Sequence, residues 1–481
     1  MSRKNMSRKT ILIAAPLIIV AVGAGGYWWI HQKAETRLLA ELQAFQNRLR
    51  PDGSMTYSSA EPALLQRGVI LHDVTLHYQT HLITARTVSA HDVSDNTIGQ
   101  LELEDVTETE PEDRATATAR HVTVKALIIP DKGEEEAIMP EKLRFDRLDM
   151  AEWEVVFLPR QPPHSAKADD GDADGKERPV KARFESFTID HWGMGQTSDL
   201  RFTGLEALIP QAGPKAHLTV RQSALTGADL TTLIEGARHG HPRSSLGQNV
   251  VFETSGIKLE QSSTAFSCGH VRSQEAHSGA GDVDTDMTVE DLTIPSVQET
   301  IAPLTHTDIL QQLGYTSLSG SFAMQSHYTA GNQTWQLRSL RADIQKAGTL
   351  TISGTLVGLP PAALDTGEPL AFLPARLSAL SLTWNEAGLT KNIVTLISQQ
   401  RQVTPEQVQQ ATLQQMDMLS HGMPAKIVPV LDAVKAFLRN PHFLSLSATM
   451  DPPAPLLSLL NPNDSLLNSM TISATADPVT R

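Results

Sequence analysis

The pattern closest to a metal site is the acidic run Asp170, Asp172, Asp174 and Gly175, which fits the first six positions of a calcium loop, D-x-D-x-D-G. Such a loop needs a bidentate glutamate at its twelfth position, where this sequence has Lys181. The surrounding residues 161–179 are rich in Asp and almost lack large apolar side chains, so they cannot bury enough surface to order themselves. We therefore expect a disordered acidic loop or linker, not a calcium site.

A second acidic run, Asp282, Asp284 and Asp286, has the D-x-D spacing with which nucleotide-sugar glycosyltransferases bind a divalent cation. That motif should follow an apolar strand, but the residues before it are SGAG. A solvated turn is the favoured interpretation. A membrane-anchored, glycosyltransferase-like enzyme with an acidic metal site is kept as the alternative.

The histidines and the single cysteine offer little chemistry. His239, His241, His270 and His277 lack the i, i+4 pairing of H-E-x-x-H, and Cys268 lies close to His270 only in sequence. The sequence contains no G-x-S-x-G elbow, no P-loop and no G-x-G-x-x-G after a strand. It thus assigns no catalytic, cofactor-binding or metal-binding residue, and we expect a protein without cofactor that is not an enzyme.

Composition narrows the class of protein further. Forty Lys and Arg against 54 Asp and Glu give a net charge of −14, which repels phosphate backbones and makes nucleic acid an improbable partner. One cysteine excludes an intramolecular disulfide framework. The 40% of hydrophobic and 20% of charged residues indicate a globular chain.

An uncharged stretch near the N-terminus predicts a membrane anchor. Residues 10–30 cover roughly 30 Å as a helix, the thickness of a bilayer hydrocarbon core. Basic residues dominate the preceding tail, 1–9, and Tyr27, Trp28 and Trp29 close the far end, which predicts a single span with a cytoplasmic N-terminus. A cleaved signal peptide is the alternative, because Ala21 and small residues near it could form a cleavage site.

Beyond the span, the pattern of apolar and polar residues predicts a mainly β, α+β fold. Short alternating runs rich in Thr, Val, Leu and Ser are typical of strands. We expect the following division: a juxtamembrane helix at 31–50, a first β-rich region at 51–160, the loop at 161–179, a second β-rich region at 180–384 with a helical insertion near 296–313, a helical segment at 385–440, and closing strands at 441–481.

Seven apolar triplets recur in the β-rich regions. In each triplet two residues separate the first apolar residue from the second, and one residue separates the second from the third. In a regular strand residues three apart face opposite sides, so the first gap predicts a bulge that returns both residues to one face. The triplets are Leu71, Val74 and Leu76; Phe145, Leu148 and Met150; Phe184, Phe187 and Ile189; Phe202, Leu205 and Ala207; Val289, Leu292 and Ile294; Leu337, Leu340 and Ala342; and Leu377, Leu380 and Leu382.

The end of the chain predicts three helices. GLTKNIVTLISQQRQ is helical in pattern, and Thr404, Pro405 and Gln407 stand at N-cap, N1 and N3 of the next helix, which we expect to end near Ser420. A third helix is expected from about residue 426 to 438. The alternating HFLSLSATM and SMTISATA then predict two strands that rejoin the sheet.

The layout resembles the AsmA-like and YdgA-like families of bacterial inner-membrane proteins. The segments YSSAEPALLQRGVILHDVTLH and LSLTWNEAGLTKNIVTLISQQRQVTPEQ carry the resemblance, followed by VKAFLRNPHFLSLSATMDPPAPLLSLL. It implies a membrane-anchored protein with an elongated periplasmic β body and, as in some relatives, an apolar groove linked to phospholipids. We therefore expect a non-enzymatic envelope scaffold or a lipid-binding groove, with membrane lipid and an acyl-lipid or envelope-protein partner.

Overall fold

The computed structural model describes Leu42, Gln43, Gln46 and most residues beyond 52. The described ranges are 53–63, 67–78, 80–94, 97–110, 115–129, 142–157, 179–193, 195–209, 216–232, 234, 247–261, 264–278, 281–295, 308–361, 363, 369–421, 423–460 and 464–476. The predicted span 10–30 and nearly all of the predicted juxtamembrane helix lie outside these residues, as does the acidic loop up to residue 178. Within them, no helix has both the length and the hydropathy needed to cross a membrane.

The described chain is mainly β, as predicted, with antiparallel strands and a few helices. It divides into two compact units, which we call unit 1 (the described residues within 1–250 and 256–262) and unit 2 (the described residues within 251–255 and 263–481). The predicted elongation of the β body, and its predicted division at the acidic loop, stay predictions.

Unit 1 is a ladder in which β1 and β2 both pair with β3, and each later strand pairs with the next. The described strands are β1 (Gly53–Thr56), β2 (Ser59–Ala63), β3 (Gly68–Tyr78), β4 (His81–Val93), β5 (Thr97–Glu110), β6 (Ala115–Ile128), β7 (Phe145–Phe157), β8 (Val180–Trp192), β9 (Ser198–Ile209) and β10 (Ala216–Ala228); β11 (Asn249–Gln261) has residues in both units. The acidic loop is thus part of the connection between β7 and β8.

The core of unit 1 is sealed by residues that do not follow simple alternation. On β5, Ile98, Leu101, Leu103 and Val106 are at most 5% exposed, although the first and last gaps are two residues long. Asp105, in the last gap, has a left-handed φ of 49°. The next apolar side chain returns to the core, as the triplets predicted, but β5 keeps one register against β4 and β6 and therefore has no bulge here. In unit 2, register shifts do mark a bulge between Val289 and Leu292 and between Leu337 and Leu340.

Residues with a left-handed φ form two lines across the strands of unit 1. In the first line they lie on odd-numbered strands, and in the second on even-numbered strands. The first line comprises Asp73, Asp105, Glu152 and Gly204, and the second comprises Asp92, Ala126, His191 and Gly227. Arg86 on β4 binds Asp105 (2.9 Å), and Arg120 on β6 binds Glu152 (2.8 Å), so cross-strand ion pairs accompany the first line.

Unit 2 is a second antiparallel ladder, from β12 to β19, with each strand paired to the next. Its described strands are β12 (Thr264–His277), β13 (Val283–Pro295), β14 (Ser317–Thr329), β15 (Thr334–Ile344), β16 (Gly348–Val357), β17 (Arg376–Glu386), β18 (Phe443–Pro455) and β19 (Met470–Ala476). The two closing strands predicted from the sequence, now β18 and β19, rejoin the sheet beside β17.

The described helices of unit 2 are α1 (Asp308–Gln312), α2 (Leu389–Arg401), α3 (Pro405–Ser420), α4 (Val428–Arg439) and α5 (Asp464–Ser469). The capping box of α3 is confirmed: Gln407 N–H donates to Thr404 Oγ1, and Thr404 N–H donates to Gln407 Oε1. Of the predicted insertion near 296–313, the structure describes the part from Asp308, which contains the short helix α1. Residues 296–307 lie outside the described ranges.

Candidate functional site

Asp284 and Asp286 of the second acidic run lie on β13 and are engaged by neighbouring strands. The predicted solvated turn is therefore wrong for these two residues, and Asp282 precedes the strand. Asp284 Oδ1 contacts His327 Nδ1 (2.8 Å) and Arg338 Nη1 (3.2 Å), and Asp286 Oδ2 accepts from Gln325 Nε2 (3.0 Å). These carboxylates are therefore partnered by a guanidinium, an imidazole and an amide. In the described part of the chain, no group of three His, Cys, Asp or Glu side chains is arranged to hold a metal.

The thiol and the imidazole that are close in sequence do not meet in the structure. Cys268 is buried, and its Sγ donates to the carbonyl oxygens of Glu290 (3.5 Å) and His270 (3.6 Å); burial raises the pKa of the thiol. The His270 ring instead binds Glu253 Oε1 (2.8 Å). His239 and His241 lie outside the described residues.

Unit 1 contains a buried polar pair that sequence reasoning missed. His81 Nδ1 lies 3.0 Å from Glu108 Oε1, and these residues are only 5% and 3% exposed. Desolvation by burial raises the pKa of Glu108, although the hydrogen bond and the charge of His81 oppose the shift. The two residues are 27 positions apart in sequence, and only the register of β4 against β5 brings them together.

Cross-strand partners build an apolar face on the described strands of unit 2. Two adjacent rows of cross-strand partners form what we call the apolar floor. The first row comprises Val289, Phe322, Ala342, Leu350, Trp384, Leu444 and Ala476, and the second comprises Met287, Met324, Leu340, Ile352, Leu382, Leu446 and Ala474. A third row follows: Thr285, Ser326, Leu337, Gly354, Leu380, Ala448 and Ile472. Direct cross-strand partners share a face, so these rows form one continuous surface.

The opposite face of the same strands is polar. The residues between the two rows of the floor are Thr288, Ala323, Arg341, Thr351, Thr383, Ser445 and Thr475. An antiparallel sheet with one apolar and one polar face buries the apolar face against something.

The apolar floor is only partly covered. No residue of its two rows is buried, and Leu380 in the third row is 42% exposed. In unit 1, by contrast, the equivalent apolar face forms a sealed core. The floor extends over roughly 29 Å from β13 to β19 at about 4.8 Å per strand. It therefore offers unit 2 an apolar surface that its own strands do not close.

Two features of unit 2 bound this surface. At one end of the strands, buried residues form small clusters around Tyr328, Leu359 and Ala375, and around Leu377 and Met450. Along one side, α4 packs on β18 and β19. The alternate residues Thr471, Ser473 and Thr475 of β19 are exposed, so α4 covers the apolar face. We call the floor and third row with these two boundaries the apolar trough.

Glu386 fixes the start of the helical segment at the other end of β17. Its carboxylate accepts hydrogen bonds from Trp384 Nε1 (2.9 Å), Gly388 N–H (2.6 Å), Thr390 N–H (3.0 Å) and Thr390 Oγ1 (2.6 Å). Partial burial alone would raise the pKa of Glu386, but these hydrogen bonds favour the carboxylate and the pKa is lowered. Trp384, at the margin of the floor, is thereby held in place.

Comparison with known proteins adds one finding. A family model described as "Uncharacterized protein" matches residues 341–477, which reach from within β15 to the end of β19 and include α2, α3 and α4. No curated protein matches the chain. The matched region contains most of the trough.

Proposed function

We propose that this chain is a single-pass bacterial inner-membrane protein whose periplasmic, β-rich body holds the acyl chain of a lipid on the apolar trough, without catalysis. The carrying observation is the partly exposed apolar floor on a sheet whose other face is polar. A hydrocarbon core about 30 Å thick contains two leaflets, so one acyl chain needs about 15 Å, and the part of the floor from β13 to β17, about 19 Å across, is longer than that.

Burial of hydrocarbon supplies the driving force for such binding. Each methylene group removed from water contributes about 0.8 kcal/mol before ordering costs. The membrane location rests on the uncharged stretch 10–30 and the basic tail before it, together with the resemblance to anchored envelope proteins. An envelope scaffold without a lipid ligand is what remains if the trough binds nothing.

The alternative is a glycosyltransferase-like enzyme that uses Asp282, Asp284 and Asp286. Its acidic run would have to release Arg338 and His327 from Asp284 before a cation could bind. Binding of manganese to the full chain, lost in an Asp284→Asn variant, would favour this alternative.

Photocrosslinking in membranes of cells that express the full chain tests the trough. A photoreactive benzoylphenylalanine replaces Leu380, which lies in the third row, or its neighbour Ser381, which lies on the opposite face as a matched control. We expect lipid adducts, detected by mass spectrometry, from position 380 and only background from 381. Equal yields at both positions, or none at 380, would overturn the proposal.

Reporter fusions test the location. A reporter that is active only in the periplasm, fused after Arg50, should be active in the full-length context. An inactive reporter would contradict a periplasmic body, and a mature N-terminus within residues 21–26 would show cleavage of the anchor.

A further inference from the structure

The third row of the trough is amphipathic along its length. On β12, Glu275 is the cross-strand partner of Thr285, so the row continues as Glu275, Thr285 and Ser326 before it becomes apolar. From Leu337 onward it has no polar side chain as far as Ile472. One row therefore offers a polar end and an apolar end to a single elongated ligand.

Glu275 is joined at this polar end by His277. Both face the trough, because their partners Thr285 and Val283 alternate along β13 with the floor residue Met287. His277 Nε2 is hydrogen-bonded to Glu275 Oε1, and the side chains are 20% and 37% exposed. They are accessible to a ligand and already oriented toward each other.

Few other ionisable groups face the trough. On the trough-facing side of the described strands β12 to β19, the carboxylates and imidazoles are Glu275, His277 and Glu386. Glu386 is occupied by its hydrogen bonds at the start of α2. Glu275 and His277 are thus the trough-facing carboxylate and imidazole of these strands that lie away from the start of α2.

We infer that Glu275 and His277 bind the headgroup of the lipid and select phospholipids whose headgroup ends in a primary amine; this rests on the proposed function. An imidazole that donates Nε2–H to a carboxylate keeps Nδ1 as an acceptor. Glu275 and His277 then both accept from an ammonium group, and Thr285 can donate its hydroxyl to the adjacent phosphate. An anionic headgroup without an amine meets the Glu275 carboxylate unfavourably.

The orientation of the lipid follows from the row. With its ammonium group at Glu275, the acyl chain extends over Leu337 and toward Leu380. A photocrosslinker at position 380 therefore captures the acyl chain while Glu275 contacts the headgroup. Separate substitutions can test the two contacts.

The test compares captured lipids by headgroup, in the full chain with benzoylphenylalanine at position 380. Glu275→Gln keeps the side-chain shape and removes the charge. We expect the ratio of amine-bearing to anionic lipid adducts to fall about threefold, the scale of one half-exposed ion pair. Glu253→Gln is the matched control, because Glu253 also pairs with a histidine, His270, but on the other face, and its ratio should not change.

A second variant and a fold measurement complete the design. Glu275→Lys should reverse the preference toward anionic lipids, and circular dichroism with thermal melting checks that both variants fold. An unchanged headgroup ratio in folded Glu275→Gln, with adducts still formed at position 380, would overturn this inference and leave the proposed function standing. Absence of adducts in the otherwise unmodified chain would overturn both.

Discussion

At the scale of single residues, Glu386 shows how one carboxylate can organise a junction between strand and helix. Four donors converge on it from Trp384, Gly388 and Thr390. Two of them are backbone N–H groups at the start of α2, where a helix has no internal acceptors and favours negative charge. The side chain therefore ties the margin of the apolar floor to the helical segment.

We predict that Glu386→Gln lowers the free energy of unfolding by about 1.5 to 3 kcal/mol at pH 7, the range for hydrogen bonds to a charged group. Since the folded-state pKa is lowered, this stabilisation is present above the ordinary glutamate pKa of about 4.3 and disappears as the pH falls through the folded value. Urea unfolding of both proteins at pH 7 and at a series of lower pH values measures the difference. A difference that does not shrink as the pH falls below the ordinary glutamate pKa would contradict the charge-based explanation.

Some single-residue features were predictable because their chemistry is local. The capping box at Thr404 and Gln407 depends on residues three apart, and the sequence shows both. Glu275 and the floor depend on partners such as Thr285 and Met324, which only the strand register defines. Periodicity reports which residues share a face of one strand but not which strands become neighbours, so the trough could not be read from the sequence.

At the scale of strands, residues with a left-handed φ explain how a triplet of unit 1 keeps its apolar residues on one face. Asp73 separates Leu71 from Val74 with a φ of 49°, and all three members of that triplet are at most 4% exposed. The sequence predicted the return of both apolar residues to one face, but β3 keeps one register against β4 at Asp73, so a left-handed residue and not the predicted bulge achieves it. Asp fits a left-handed position better than most residues, whereas alanine pays for its Cβ there.

Ala126 on β6 provides a test of this strain, because its φ is 52°. We predict that Ala126→Gly raises the free energy of unfolding by about 1 kcal/mol, since glycine adopts this conformation without a steric cost. Ala151→Gly on β7, where φ is not left-handed, should instead lower it by about 0.5 to 1 kcal/mol. Chemical denaturation that gives the same sign for both substitutions would refute the interpretation.

At the scale of the whole molecule, the two units share the triplet pattern but differ in how far its apolar side chains are buried. Phe187 in unit 1 is 4% exposed and packs edge-on against Trp153, with ring centroids 5.2 Å apart. Leu380 in unit 2 belongs to an equivalent triplet but is 42% exposed. The triplet pattern alone could not distinguish a sealed core from an open face, because in both cases the apolar side chains lie on one side of a strand.

The contrast predicts opposite outcomes for the same chemical change. Phe187→Glu should abolish cooperative folding of unit 1, because loss of the ring alone costs about 3 to 5 kcal/mol and a buried carboxylate adds to this. Leu380→Glu should change the free energy of unfolding by less than about 1 kcal/mol. Circular dichroism and limited proteolysis measure both. An unfolded Leu380→Glu variant would mean that the third row is sealed.

The alternation of left-handed residues between odd and even strands in unit 1 also restricts how such a sheet can lengthen. A single inserted strand would place two strands of the same kind side by side, so left-handed residues would oppose each other on one line and be missing on the other. An inserted or deleted hairpin keeps the alternation intact. We therefore expect this ladder to gain or lose strands in pairs during evolution, with the hairpin as the unit that is inserted or deleted.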